Sequence, residues 1–123
     1  MADEITLTIP SEEPFNDVAH LVLGGVAARL NLSFESLDDL ETALAAVLER
    51  GAEDGEVTVK LMLDEEKVVA RVGPFSPDRL RAELDPEPGA DVNLRRILDT
   101  VVDGFEVEDE GWLALTKRVE RQA

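Results

Sequence analysis

At 123 residues and 44% hydrophobic content the chain can build one two-layer core and is too short for two ordinary domains, so 1–123 reads as a single domain. Twelve Lys and Arg against 28 Asp and Glu give a formal charge of -16, which repels a phosphate backbone and argues against direct nucleic-acid binding. No Cys and a single His exclude disulfides, thiolate zinc sites, cysteine nucleophiles and histidine metal clusters; the acidic start Met1-Ala2-Asp3-Glu4 and the lack of any run of about 20 apolar residues predict a cytoplasmic chain away from membranes.

In chain order, Ile5, Leu7 and Ile9 alternate with Thr6 and Thr8 before Pro10, the period-two pattern of a half-buried strand. Ser11 is positioned to cap a following helix, in which Phe15, Val18, Ala19, Val22, Val26 and Leu30 recur at helical spacing and Pro14 falls in the first turn. Asn31 marks its end. A second helix is expected to start near Ser36, with Ser36 and Asp39 as a weak capping box, to bury Leu37, Leu40, Leu44, Val47 and Leu48, and to stop at Gly51. Val57, Val59, Leu61 and Leu63, an acidic turn at 64–66, and Val68, Ala70 and Val72 then read as an antiparallel hairpin. Pro74 and Pro77 end it. A short helix over 77–84 leads to a loop over 85–91, and a third long helix presents Leu94, Ile97, Leu98, Val101 and Val102. Gly104 opens a last hairpin, Phe105 to Glu108 and Trp112 to Val119, around a Glu110-Gly111 turn. Single apolar stripes on the helices and one apolar face on the sheet cover each other, which predicts an α+β two-layer sandwich with a mostly antiparallel sheet covered on one face.

This order, together with several residue strings, resembles the anti-sigma-factor serine kinases of the GHKL (histidine kinase-like) ATPase superfamily. The strings are Leu7-Thr8-Ile9-Pro10-Ser11, Ala27-Ala28-Arg29-Leu30, Asp38-Asp39-Leu40 followed by Ala43-Leu44, Val101-Val102-Asp103-Gly104-Phe105-Glu106-Val107, and Leu115-Thr116-Lys117-Arg118-Val119. The resemblance spans nearly the whole chain. It implies an antiparallel sheet under helices, a site for ATP and magnesium beneath a lid, binding of sigma factors, and phosphorylation of antagonist proteins of the STAS type.

The site that the resemblance implies is degenerate here. Such kinases carry, on the second helix, a Glu as general base and four residues later an Asn for magnesium; the matching positions are Ala46 and Arg50. A cationic Arg repels the metal, and Asn16, Asn31 and Asn93, the chain's asparagines, all lie off this helix. The adenine-reading D-x-G-x-G corresponds to Ala70-Arg71-Val72-Gly73-Pro74-Phe75, with the Asp position falling on Ala70 or Arg71 and only Gly73 retained. Of the lid glycines only Gly89 is present, too few for a phosphate cradle. Arg50, Gly73 and Gly89 are therefore vestigial positions, and no catalytic residue, cofactor or metal is expected.

Other features read structurally. Gly24-Gly25 lies inside an apolar helix, where close helix packing or a kink is the simpler reading than phosphate binding. His20 is placed beside the core, and Phe105 and Trp112 are read as core. The acidic clusters, Glu12-Glu13 and Glu65-Glu66 among them, form solvated surface that in sum suits a basic partner. The expected function is regulation by protein binding, to a sigma factor or a STAS-type antagonist, without phosphotransfer; homodimerisation fits the family. The alternative is a divergent ATP-dependent serine/threonine kinase that uses residues such as Glu41, Glu49 or Asp91. An acidic decoy for nucleic-acid-binding proteins, or a subunit that only dimerises, is a third class.

Overall fold

The computed structural model describes residues 3–50, 55–64, 66–84 and 94–120. Five strands form one antiparallel sheet: β1 (Asp3–Pro10), β2 (Glu56–Leu63), β3 (Lys67–Gly73), β4 (Gly104–Glu108) and β5 (Trp112–Arg118). Their spatial order is β1-β2-β3-β5-β4, every neighbouring pair antiparallel. The helices are α1 (Glu13–Leu30), α2 (Phe34–Leu48), α3 (Pro77–Glu83) and α4 (Leu94–Val101). This is the expected α+β sandwich.

Alternation decides which sheet face is covered. Val57, Val59, Leu61 and Leu63 on β2, Val68, Ala70 and Val72 on β3, and Leu113 and Leu115 on β5 are buried and join Leu23, Val47, Leu94 and Leu98 of the helices in one core. Thr6, Thr8, Thr58, Lys60, Met62, Val69 and Arg71 occupy the other face, where the Thr8 and Thr58 hydroxyls pair at 2.8 Å. Trp112 belongs to that open face and is half-buried under Lys60, whose Nζ lies 5.1 Å from the ring centroid. It is not a core residue as its size suggested. Phe105 is half-buried, with the Arg95 guanidinium 5.6 Å from its centroid.

Several local expectations are corrected by hydrogen bonding. The α2 cap is Ser33, whose hydroxyl accepts from the Ser36 N–H at 3.1 Å, so the helix starts one turn-half before the Ser36 predicted from sequence. Ser36 is instead buried, and its hydroxyl accepts from the Glu120 N–H at 2.9 Å, while the Ser33 N–H donates to the Glu120 carbonyl at 2.7 Å. The chain beyond β5 thereby clamps the start of α2, helped by Lys117 Nζ at 3.0 Å from Asp39. The N-cap of α1 is Glu12, without a side-chain bond, rather than Ser11, whose N–H donates to the Gly55 carbonyl at 2.8 Å. Asn31 does end α1, in the left-handed conformation at φ 55.

On α1, Phe15 and Val18 are 40% and 37% exposed, whereas Ala19, Leu23, Val26 and Ala27 are buried. The expected core face holds at Ala19, Val22, Val26 and Leu30 and fails at Phe15 and Val18, because this helix is apolar nearly all round and offers little polar side to set the phase. Nor do Gly24 and Gly25 mark close packing, since a Cβ built on either meets nothing within 4 Å. Helix α2 ends at Leu48; Gly51, the 85–91 loop with Gly89 and Asp91, Glu65 of the hairpin turn, and Asn93 lie outside the described residues.

Candidate functional site

Helical spacing puts Ala46 and Arg50 one turn apart at the end of α2. Ala46 is 6% exposed and lies within the hydrophobic core. The Arg50 side chain, 19% exposed, reaches across to α3, where its Nε donates to Glu83 Oε2 at 3.2 Å; a longer contact of 3.7 Å runs from Nη1 to Glu49. A charge-assisted bond between the end of α2 and the end of α3 thus occupies Arg50. Glu83 escaped the sequence reading because the pairing joins residues 33 positions apart, and neither a helical nor a strand period links them.

At the end of β3 the pleat separates the two candidate positions for an adenine carboxylate. Ala70 faces the helices and is 5% exposed. Arg71 points to the open face, where its Nε donates to Glu108 Oε1 at 3.0 Å and a second guanidinium nitrogen approaches the Met62 sulfur at 3.1 Å. Gly73 abuts the β4–β5 turn: a Cβ there would lie 3.0 Å from the Trp112 ring and 3.1 Å from the Gly111 carbonyl oxygen. A side chain at this position would therefore press on the β4–β5 turn. After the cis Gly73-Pro74 peptide, Phe75 turns inward and is 3% exposed, and its N–H donates to the Gly111 carbonyl at 2.8 Å. Gly111 is far more constrained, at φ 82 and with a hypothetical Cβ 1.9 Å from the Phe75 oxygen. Leu80 and Leu84 of the following turn of chain are buried in the same core.

The sequence-derived positions therefore do not converge. Arg50 meets Glu83, Arg71 meets Glu108, and Gly73 meets Trp112. Of the alternative acids, Glu41 is half-buried on α2, and Glu49 is exposed at its C-terminal end. Among the described residues no three His, Asp or Glu side chains are grouped to hold a metal ion, and no helix is long and apolar enough to cross a membrane.

Clefts lie elsewhere. One of about 450 Å³ runs between the start of α1 and the end of α2, lined by Ser11, Glu12, Asn16, Asp17, His20 and Glu49 among others. His20 is half-buried at its wall and not inside the core. Another, of about 560 Å³, lies on the open sheet face around Lys60, Arg71, Glu106 and Trp112.

The fold is similar to that of a solved structure of the RsbU and RsbW domains of a Mycobacterium tuberculosis protein, with a TM-score of 0.68 at 16% identity, over 98% of this chain and 33% of that one. No family model matches the chain. The serine-protein kinase RsbW of Listeria monocytogenes is 30% identical over 131 residues, covering 90% of this chain and 83% of the relative. Its counterpart in Bacillus pumilus is 26% identical over 146 residues, covering 98% and 88%. The chain belongs to the RsbW family of anti-sigma-factor serine-protein kinases.

Proposed function

We propose that this chain regulates by binding a protein partner, a sigma factor or a STAS-type antagonist in the cytoplasm, and does so without transferring phosphate. The observation that carries this reading is the Arg50–Glu83 pair at 3.2 Å beside the buried Ala46. Magnesium takes oxygen ligands, and a general base must reach the hydroxyl it deprotonates. At the corresponding positions α2 offers a methyl group inside the core and a guanidinium already neutralised by Glu83. The group expected of the family does not fit these residues, and no phosphoryl-transfer step is assigned to them.

The burial of Phe75 gives further support. In the stretch that corresponds to the adenine signature, the Phe75 ring turns into the core while its backbone N–H donates to the Gly111 carbonyl, so this segment packs as structure. The second reading, a divergent ATP-dependent serine/threonine kinase, is favoured by the name that the relatives carry over most of the chain. Incubation with a STAS-type protein and magnesium-ATP separates the two. The binding reading expects a stoichiometric complex whose yield is the same with and without nucleotide and no phosphoserine or phosphothreonine on the partner. Turnover to phosphorylated partner would establish the kinase.

A further inference from the structure

Helix α1 has two apolar faces, and the core uses one. Toward solvent, Pro14, Val18, Leu21, Gly25 and Ala28 fall at intervals of four and three residues, so they form one continuous stripe, all exposed, with Leu21 at 75%. A surface helix ordinarily turns polar residues outward, and an exposed apolar stripe of this kind marks an interaction surface. Gly25, one step beyond Leu21, adds no side chain to the stripe, and nothing stands within 4 Å of where its Cβ would be, so another helix can approach closely there.

The second observation is the 450 Å³ cleft alongside. Asp17 flanks the stripe and also lines this cleft, together with Glu12 and Glu49, and no Lys or Arg is among its lining residues. Glu12 and Asp17 are exposed and have no ion-pair partner among the described residues. An apolar ridge beside an acidic cleft is complementary to a helix with one apolar face bordered by Lys or Arg. Pairing the stripe with that of a second copy would bring together two chains of charge -16 and oppose their acidic flanks, so the charge selects against a copy of this chain.

We propose that the outward stripe of α1 and the adjoining acidic cleft form the docking surface for a basic amphipathic helix of the protein partner, the apolar face covering Val18 and Leu21 and a basic side chain entering the cleft beside Asp17. This deepens the binding reading given above and rests on it. Opposite charge accelerates encounter and is weakened by salt, while the stripe sets which helices remain bound.

The test uses the full chain and a labelled synthetic helical peptide of about 18 residues, leucine on one face and arginine at its borders. Leu21→Glu adds one negative charge, as does Thr6→Glu on the opposite, open face of the sheet, and both sites are exposed. Attraction by charge alone strengthens binding equally in the two variants. Docking on the stripe predicts that Leu21→Glu weakens binding by about tenfold or more while Thr6→Glu does not weaken it. Equal or tighter binding by Leu21→Glu, or no binding by the parent chain, overturns the proposal. Sedimentation of the parent chain supplies the other arm: self-association abolished by Leu21→Glu would make a second copy the occupant and overturn the choice of a basic helix. Failure here with no nucleotide binding leaves the non-catalytic reading standing, whereas nucleotide binding overturns that reading without touching the stripe.

Discussion

Helices α1 and α2 lie on the same side of one sheet, and they are opposite in what they hide. At the end of α2, Ala46 lies in the core and Arg50 is held in an ion pair with Glu83. On α1 a face that solvation would normally keep polar is apolar and uncovered, with Leu21 at its centre. A cofactor site needs polar groups with free lone pairs and an open approach, whereas a docking surface needs exposed apolar area and uncompensated charge. The first helix meets the second requirement; at the end of α2, Ala46 is buried and Arg50 is paired with Glu83.

The largest effect that sharpens this contrast is expected at α2. Ala46→Glu places a carboxylate among core side chains, and should lower stability by about 2–4 kcal/mol in urea unfolding. Adding Arg50→Asn should not restore magnesium-nucleotide binding; recovered binding would mean that the pocket had survived the loss of its side chains. Next comes the turn that seals Phe75: Gly111→Ala meets both a left-handed backbone and a carbonyl oxygen, and should cost about 2–3 kcal/mol by the same measurement. Removing the half-buried pair with Arg50→Ala should cost about 1 kcal/mol, because Glu83 keeps partial access to water. Leu21→Glu on α1 should change stability by less than about 0.5 kcal/mol, since Leu21 is 75% exposed. A larger loss there would show that the stripe is structural.

The smallest effect lies away from both helices. The Asp64 carboxylate accepts from the Glu66 N–H at 2.8 Å and the Lys67 N–H at 2.9 Å, and these bonds hold its pKa below the ordinary carboxylate value. The folded chain therefore binds this proton more weakly than the unfolded chain. Its contribution to the β2–β3 turn is present at neutral pH and is lost as pH falls through the lowered value. A carboxyl resonance followed by NMR should titrate below the ordinary range, and Asp64→Asn should remove this part of the acid sensitivity.

The sheet was legible in sequence because alternation at Val57 to Leu63 and Val68 to Val72 and the glycine at 111 each encode one local geometry. Helix α2 was legible in its core face, although its cap moved to Ser33, since Ser33 and Ser36 both suit a helix start and only the Glu120 N–H decides which is buried. The faces of α1 were legible only in part: Ala19, Val22, Val26 and Leu30 meet the core as expected, whereas Phe15 and Val18 do not. Phe15, Val18, Ala19, Val22 and Leu23 satisfy more than one helical stripe, and the neighbours that select the buried one lie elsewhere in the chain. The pairing of Arg50 was equally hidden, since its capture by Glu83 depends on where α3 lands. Family strings carried the chain to the right fold and gave no indication of what fills the space between its helices.

The most direct test is calorimetric titration of the purified chain with ATP and ADP, with and without magnesium, paired with a thermal-shift control. The account predicts no heat of binding and no rise in melting temperature at about 1 mM nucleotide. Magnesium-dependent binding with a Kd of about 1–100 µM would contradict it, and would mean that Arg50 and Glu83 separate to admit a nucleotide.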